Sequence, residues 1–180
     1  MDIGGKPLIQ QVMERAAQIR GVDDLVLAVP YSDLPAFKFG TWYTRGVYGI
    51  QEWDVLRRFV RVLEEYPSAD TIMRLTGDCP LLNPRECARV LAMYREWPDA
   101  EYVSNVEDGY IDGEDCEVFS TSILLRANRE ATDRYDREHV TPFIRRHALE
   151  DAAKSVTPRA KTSVDTLEEL ERVRAMVARG

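Results

Sequence analysis

Apolar residues recur at helical spacing near the start of the chain. Leu8, Ile9, Val12, Met13, Ala16 and Ile19 form one stripe, opened by Gly4-Gly5-Lys6-Pro7 and stopped at Gly21. The next run, Leu25-Val26-Leu27-Ala28-Val29, is short and continuously apolar, the pattern of a strand buried in a parallel sheet. Helical spacing returns between Glu52 and Tyr66, with Val55, Leu56, Phe59, Val60 and Leu63 inward. A strand is expected over Thr71–Leu75, a helix from Pro84 to Trp97, and strands at Tyr102-Val103-Ser104 and Glu117-Val118-Phe119. Ser120 and Thr121 cap a helix to Ala131, and Asp136 caps another that runs to His147. A weak strand near Ser163-Val164 precedes a last helix from Thr166 to Ala178. Between Pro30 and Gly49 neither period holds; the stretch is aromatic-rich and reads as irregular. Strands alternating with helices of this length imply βαβ units, a mainly parallel sheet and the α/β class.

At 180 residues the chain fits a single domain spanning 1–180, with room for a substantial core. Its net charge of -7 argues against nucleic acid and anionic membranes as partners, since both select basic surfaces. A small anionic ligand stays compatible with that charge if a divalent cation offsets the repulsion. No apolar run approaches the ~20 residues of a membrane span, and the first residues lack a signal-peptide core. The three cysteines, Cys79, Cys87 and Cys116, are widely spaced and lack any CxxC pair. They read as reduced thiols of a cytoplasmic protein. With only His139 and His147 present, a multi-histidine metal site is excluded.

The richest chemistry sits at Arg74-Leu75-Thr76-Gly77-Asp78-Cys79-Pro80, where the expected strand ends in a Gly-Asp turn. Open α/β sheets bind ligands outside the carboxyl ends of their strands. Taken alone, Asp78 reads as an ordinary turn residue. Asp165 stands at a second strand-to-helix junction, where capping would also select an acid. Two such carboxylates could share one Mg²⁺, an ion that prefers oxygen ligands and keeps substrate phosphates in its shell. The acidic stretch from Glu107 to Glu117 fails the EF-hand pattern. It reads equally as a solvated loop or as a rim accepting hydrogen bonds from a polyhydroxylated ligand, with Glu117 facing the cleft. Arg137 could bind a carboxylate or phosphate bidentately, although a surface ion pair is commoner.

In this order, the pieces resemble the cytidylyltransferase family that includes CMP-sialic acid and CMP-KDO synthetases, and above all its spore-coat polysaccharide (SpsF-type) branch. The stretches that carry the resemblance are Gly5-Lys6-Pro7-Leu8-Ile9, Asp54-Val55-Leu56-Arg57-Arg58-Phe59, Arg74 to Leu81, Tyr102-Val103-Ser104-Asn105 and Asp112-Gly113 through Phe119. Ala131-Thr132-Asp133, Arg137-Glu138-His139-Val140-Thr141-Pro142 and Val164-Asp165-Thr166 complete the set. The resemblance implies a three-layer αβα, Rossmann-like nucleotidyltransferase fold of the nucleotide-diphospho-sugar transferase kind. It implies CTP and an acidic sugar as substrates, release of pyrophosphate, Mg²⁺ as cofactor and a role in surface polysaccharide biosynthesis. By that similarity Asp78 and Asp165 hold the metal and serve catalysis, while Arg74, Thr76, Gly77, Asp115, Glu117, Arg137, Glu138 and His139 bind substrate. A homodimer is expected by analogy. Relatives carry a first strand and a Gly- and Arg-rich phosphate-binding turn ahead of the segment matching Met1 to Pro7. Here that strand and turn are missing, so an N-terminally truncated chain is expected, and both an active and an inactive form stay open. Glu114, where relatives tend to be apolar, is a second departure. Two other classes compete: a non-catalytic relative binding a sugar or protein through Tyr31–Tyr48, and a metal-dependent glycosyltransferase using Asp112–Asp115.

Overall fold

The structure is a computed structural model and describes residues 2–36, 45–49, 51–105, 113–148, 164 and 166–178, with the backbone alone at 34–36 and 45–49. Strands β1 (Asp2–Ile3) and β2 (Lys6–Pro7) form a short antiparallel hairpin. Its two-residue turn has Gly4 at φ 61° and Gly5 at φ 82°, the left-handed pair that a tight hairpin turn requires. Helix α1 (Leu8–Ala16) follows and buries Leu8, Val12, Met13 and Ala16, as its stripe predicts. β3 (Val26–Pro30) leads through a 3₁₀ turn (Tyr31–Ala36) to β4 (Arg45–Gly49), which pairs parallel to β3 from Val26↔Arg45 to Pro30↔Gly49.

Then come α2 (Val55–Glu65), β5 (Thr71–Arg74), α3 (Pro84–Glu96), β6 (Tyr102–Ser104), β7 (Glu117–Ser120) and α4 (Thr121–Glu130). The described chain closes with α5 (Arg134–His139), α6 (Thr141–His147) and α7 (Leu167–Ala178). Caps explain the boundaries. The Asn83 side chain accepts the N–H groups of Arg85 and Glu86 with Pro84 at the first turn, and Ser120 accepts that of Ile123.

β7 lies between β5 and β6 and runs antiparallel to both. β5 and β6 therefore run the same way, and the expected α/β class holds with one reversed strand in this sheet. One face carries Leu56 and Val60 of α2, Ile123, Leu124 and Ala127 of α4, and Phe143 and Ile144 of α6 against Tyr102 and Phe119. The other carries Ala16 and Ile19 with Cys87, Val90 and Leu91 of α3 against Val103, Cys116 and Val118. Helices on both faces make the three-layer arrangement. Met13 of α1 also packs on Leu27 and Val29, so β3 shares that helical layer. β3 and β5 are not hydrogen-bonded to each other. α7 seats Leu170 and Val173 on Ile3, Leu8, Val12 and Val164, and Arg174 donates to the Asp2 carbonyl at 2.7 Å. Among the described residues no helix is long and apolar enough to cross a membrane.

Two local expectations need correction, and a third falls outside the described residues. The irregular reading of 30–49 misses β4. Its sequence, Arg45-Gly46-Val47-Tyr48-Gly49, carries little strand propensity, and pairing along β3 supplies the order instead. The helix expected from Asp136 to His147 is two helices. Asp133 is the cap, accepting the Tyr135 N–H at 2.7 Å, and Val140 breaks the run at φ 68°. Pro142 cannot donate back to the preceding turn, so the chain restarts there. Asp136 lies inside α5, buried, and pairs with Arg146 at 2.6 Å. The weak strand near Ser163 falls outside the described residues, and Val164 is not in a strand.

Candidate active site

β5 delivers Arg74 to the carboxyl edge of the sheet, and the chain turns at once through Thr76, Gly77 and Asp78. The turn is tied locally. Cys79 is buried, its thiol lies 2.9 Å from the Thr76 hydroxyl and 3.6 Å from Oδ1 of Asp78, and its carbonyl accepts the Leu82 N–H at 3.1 Å. Burial, helped by the negative charges of Asp78 and Asp115, pushes the Cys79 thiol up to about 12; the Thr76 hydrogen bond opposes this. Asp78 and Asp115, far apart in sequence, thus act on the same thiol. A long-range contact completes the turn: the Val164 N–H donates to the Asp78 carbonyl at 3.1 Å. That bond seats the residue preceding Asp165 against Asp78. Asp165 itself lies outside the described residues, as does Asp112. The cap at the start of α7 is made by Thr166, whose hydroxyl accepts the Glu169 N–H at 3.2 Å while Glu169 accepts the Thr166 N–H at 2.9 Å. Capping therefore does not require an acid at 165.

On the α2 and α6 face of the same strand end, a second polar cluster is buried. Arg74 and Glu117 are register partners across β5 and β7, and their side chains meet at 2.5 Å. The Tyr102 hydroxyl donates to the other Glu117 oxygen at 2.8 Å. Burial, and next the Glu117 charge, hold the Tyr102 phenol well above its ordinary range, so it stays a donor. Glu117 is only 3% exposed, and its carboxylate faces these two side chains rather than an open cleft. The loop before β7 is pinned by Asn105, fully buried. It donates to the Glu114 carbonyl at 3.1 Å and accepts the Cys116 N–H at 2.8 Å.

The strand end thus gathers Arg74, Thr76, Gly77, Asp78, Asp115 and Glu117. Arg137, Glu138 and His139 stand elsewhere, on α5. Arg137 is a cross-link: it donates to Asp54 at 2.9 Å, to the Ala131 carbonyl at 3.2 Å and to Asn128. Glu138 is exposed and pairs with Arg134 at 3.7 Å; His139 is exposed with its ring 4.4 Å from that of Tyr135. Among the described residues none of these partners belongs to the strand-end group. Sequence reasoning singled out neither Tyr102 nor Arg58 as a site residue. Arg58 is buried, donates to the carbonyls of Gln51 and Glu52 at 2.9 and 2.7 Å, and is pulled below its ordinary value by burial. Its place one helical turn after the Asp54 cap was the available signal. Among the described residues no group of three or more acids, histidines and cysteines makes a ready metal site. The donors at the turn are carboxylates, the chemistry a hard divalent cation takes.

Comparison with known proteins decides the family. The sequence profile of the family described as Cytidylyltransferase matches residues 1–176. This chain belongs to the cytidylyltransferase family. An uncharacterized protein of Methanocaldococcus jannaschii, MJ1063, is 31% identical over 146 residues, 80% of this chain. The chain spans 58% of that relative's length. Among solved structures, a cytidylyltransferase from Leptospira borgpetersenii superposes with a TM-score of 0.89 at 19% identity, covering 100% of this chain and 79% of the other. CMP-KDO synthetase complexed with CTP superposes at 0.70 and 20% identity, covering 99% and 90%. Rv0371c from Mycobacterium tuberculosis, solved with manganese, superposes at 0.66 and 17% identity, covering 97% and 89%. These likenesses establish the cytidylyltransferase fold for this chain, a nucleotidyltransferase-like α/β architecture.

Proposed function

We propose that this cytidylyltransferase transfers CMP from CTP to an acidic sugar, releasing pyrophosphate, in the synthesis of a surface polysaccharide. A sugar oxygen attacks the α-phosphorus, a new P–O bond forms there, and the bond to the bridging oxygen of the pyrophosphate breaks. The observation that supports this reading is the hydrogen bond from the Val164 N–H to the Asp78 carbonyl, which joins the residue before Asp165 to the Gly-Asp turn. Asp78 and Asp165 are the residues we assign to a divalent cation, with Mg²⁺ the expected ion. Bound there, such an ion supplies charge neutralisation on the phosphates. Arg74, Thr76, Gly77 and Asp115 would contact substrate at the same edge. Arg137, Glu138 and His139, if they bind substrate, do so from α5. We place the protein in the cytoplasm, as a homodimer.

Calorimetric titration of CTP into the purified chain, with and without Mg²⁺ or Mn²⁺, tests the reading. Saturable binding that needs the metal and disappears in Asp78→Ala supports it. Absence of heat from a folded chain removes nucleotidyl transfer as the activity of this form.

A further inference from the structure

Three candidates go beyond the roles already assigned: the groove between the α1–β3 connection and α3, the exposed rings around Tyr135, and the buried Tyr102–Glu117 pair. The groove is lined by Arg20, Gly21, Ala88, Leu91, Arg95 and Glu96, but Arg95 already donates to the Gly21 carbonyl at 2.8 Å and nothing else points to an occupant. Tyr135 is exposed and paired with His139, again without sign of a partner. The buried pair is different, because its geometry ends on a residue of the strand edge.

We propose that Tyr102 is a positioning residue which, through Glu117, fixes the guanidinium of Arg74, the last residue of β5, so that Arg74 takes an oxyanion group of the ligand at the strand end. Both links are short, and the Tyr102–Glu117 link is buried. Tyr102 is fully buried on β6 and donates at 2.8 Å to one oxygen of Glu117, whose other oxygen meets Arg74 at 2.5 Å. A carboxylate with both oxygens engaged cannot rotate freely, so the guanidinium it holds is fixed as well. Arg74 keeps 17% of its side chain exposed, against 4% for Glu117. Among the described residues Glu117 is its only partner, which leaves further guanidinium donors for a ligand. Glu117 is thereby a brace and not the sugar-facing acceptor expected from sequence. A phosphate oxygen of CTP and a sugar carboxylate share the chemistry that a planar guanidinium selects. This proposal rests on the strand end being a ligand site, not on which nucleotide occupies it.

The test follows the Arg74 Nε–Hε signal of the ¹⁵N-labelled full chain by NMR, assigned through loss in Arg74→Lys, while inorganic pyrophosphate or D-glucuronate is added. A shift with pyrophosphate identifies a phosphate as the group bound, and a shift with glucuronate a carboxylate. Tyr102→Phe keeps the buried ring and removes only the hydroxyl. It should weaken whichever anion binds by about tenfold, the size of one hydrogen bond to a charged group, and broaden the Arg74 signal at unchanged fold. Glu117→Gln keeps the side-chain shape but replaces one acceptor oxygen with an NH2 donor and removes the charge facing Arg74, so it should weaken binding at least as much, and it serves if Tyr102→Phe does not fold. No shift with either anion, or wild-type affinity and line width in Tyr102→Phe, overturns the proposal. Failure of CTP binding alone would overturn only the function proposed above, because the readout here needs neither CTP nor turnover.

Discussion

Cys79 shows how a single side chain reports on the strand end. It is 2% exposed and wedged between the Thr76 hydroxyl and the Asp78 carboxylate, so its thiolate is disfavoured by burial and by charge together. A thiol at about 12 is almost wholly protonated near neutrality and makes a poor nucleophile. Cys87 and Cys116 are buried too. Disulfide-exchange reagent should therefore leave native protein unlabelled over minutes at pH 7.5 and label three thiols once it is unfolded. Rapid labelling of Cys79 in the native state would contradict the packing. The same residue sets an alkaline limit. A thiol raised on folding contributes stability that is fully present below its ordinary value near 9 and is lost as pH rises towards 12. Urea midpoints should fall over that window, and less steeply in Cys79→Ala. Asp78 and the Gly-Asp turn were legible in the sequence because glycine, aspartate and proline act within a few residues. The Arg74–Glu117–Tyr102 chain was not, because Arg74 and Glu117 are 43 positions apart and meet only through strand register.

Among the elements, those bounded by local signals matched expectation within a few residues. α3 begins where Asn83 and Pro84 place it, and α4 where Ser120 does. The helix broken at Val140 did not match, since a β-branched residue at positive φ has no local signature and is held there by burial in the core. β4 was missed for a related reason: a parallel strand takes its order from a neighbour, here β3. The start of α7 yields a prediction at this scale. Thr166→Ala removes a reciprocal cap worth about 1 kcal/mol and loosens the segment that holds Val164 on Asp78. Metal-dependent CTP affinity should fall in this variant by more than the melting temperature shift alone explains. Equal affinity at a lowered melting temperature would confine the cap to stability.

Across the whole molecule, Arg137 joins three helices, reaching the Asp54 cap of α2, the end of α4 and its own α5. Both members of the Arg137–Asp54 pair are largely buried, so truncating one strands the other and several acceptors. Arg137→Ala should destabilise by about 2–3 kcal/mol, and Arg137→Lys should restore little because lysine cannot reproduce the planar fork. Thermal unfolding with CTP-binding controls separates this bracing from a contact to substrate: full affinity in a folded but less stable variant excludes the contact.

Most of the order of elements, the Ser120 cap of α4 and the Gly-Asp turn followed from the sequence by itself, as did the family resemblance, which rests on the run of motifs. The cap and the turn depend on propensities acting over a few residues. Tertiary structure alone decided that β7 runs antiparallel between β5 and β6, that β4 exists, and that Glu117 pairs with Arg74. Backbone pairing and buried ion pairs join positions the chain keeps far apart, and no local pattern encodes such partners.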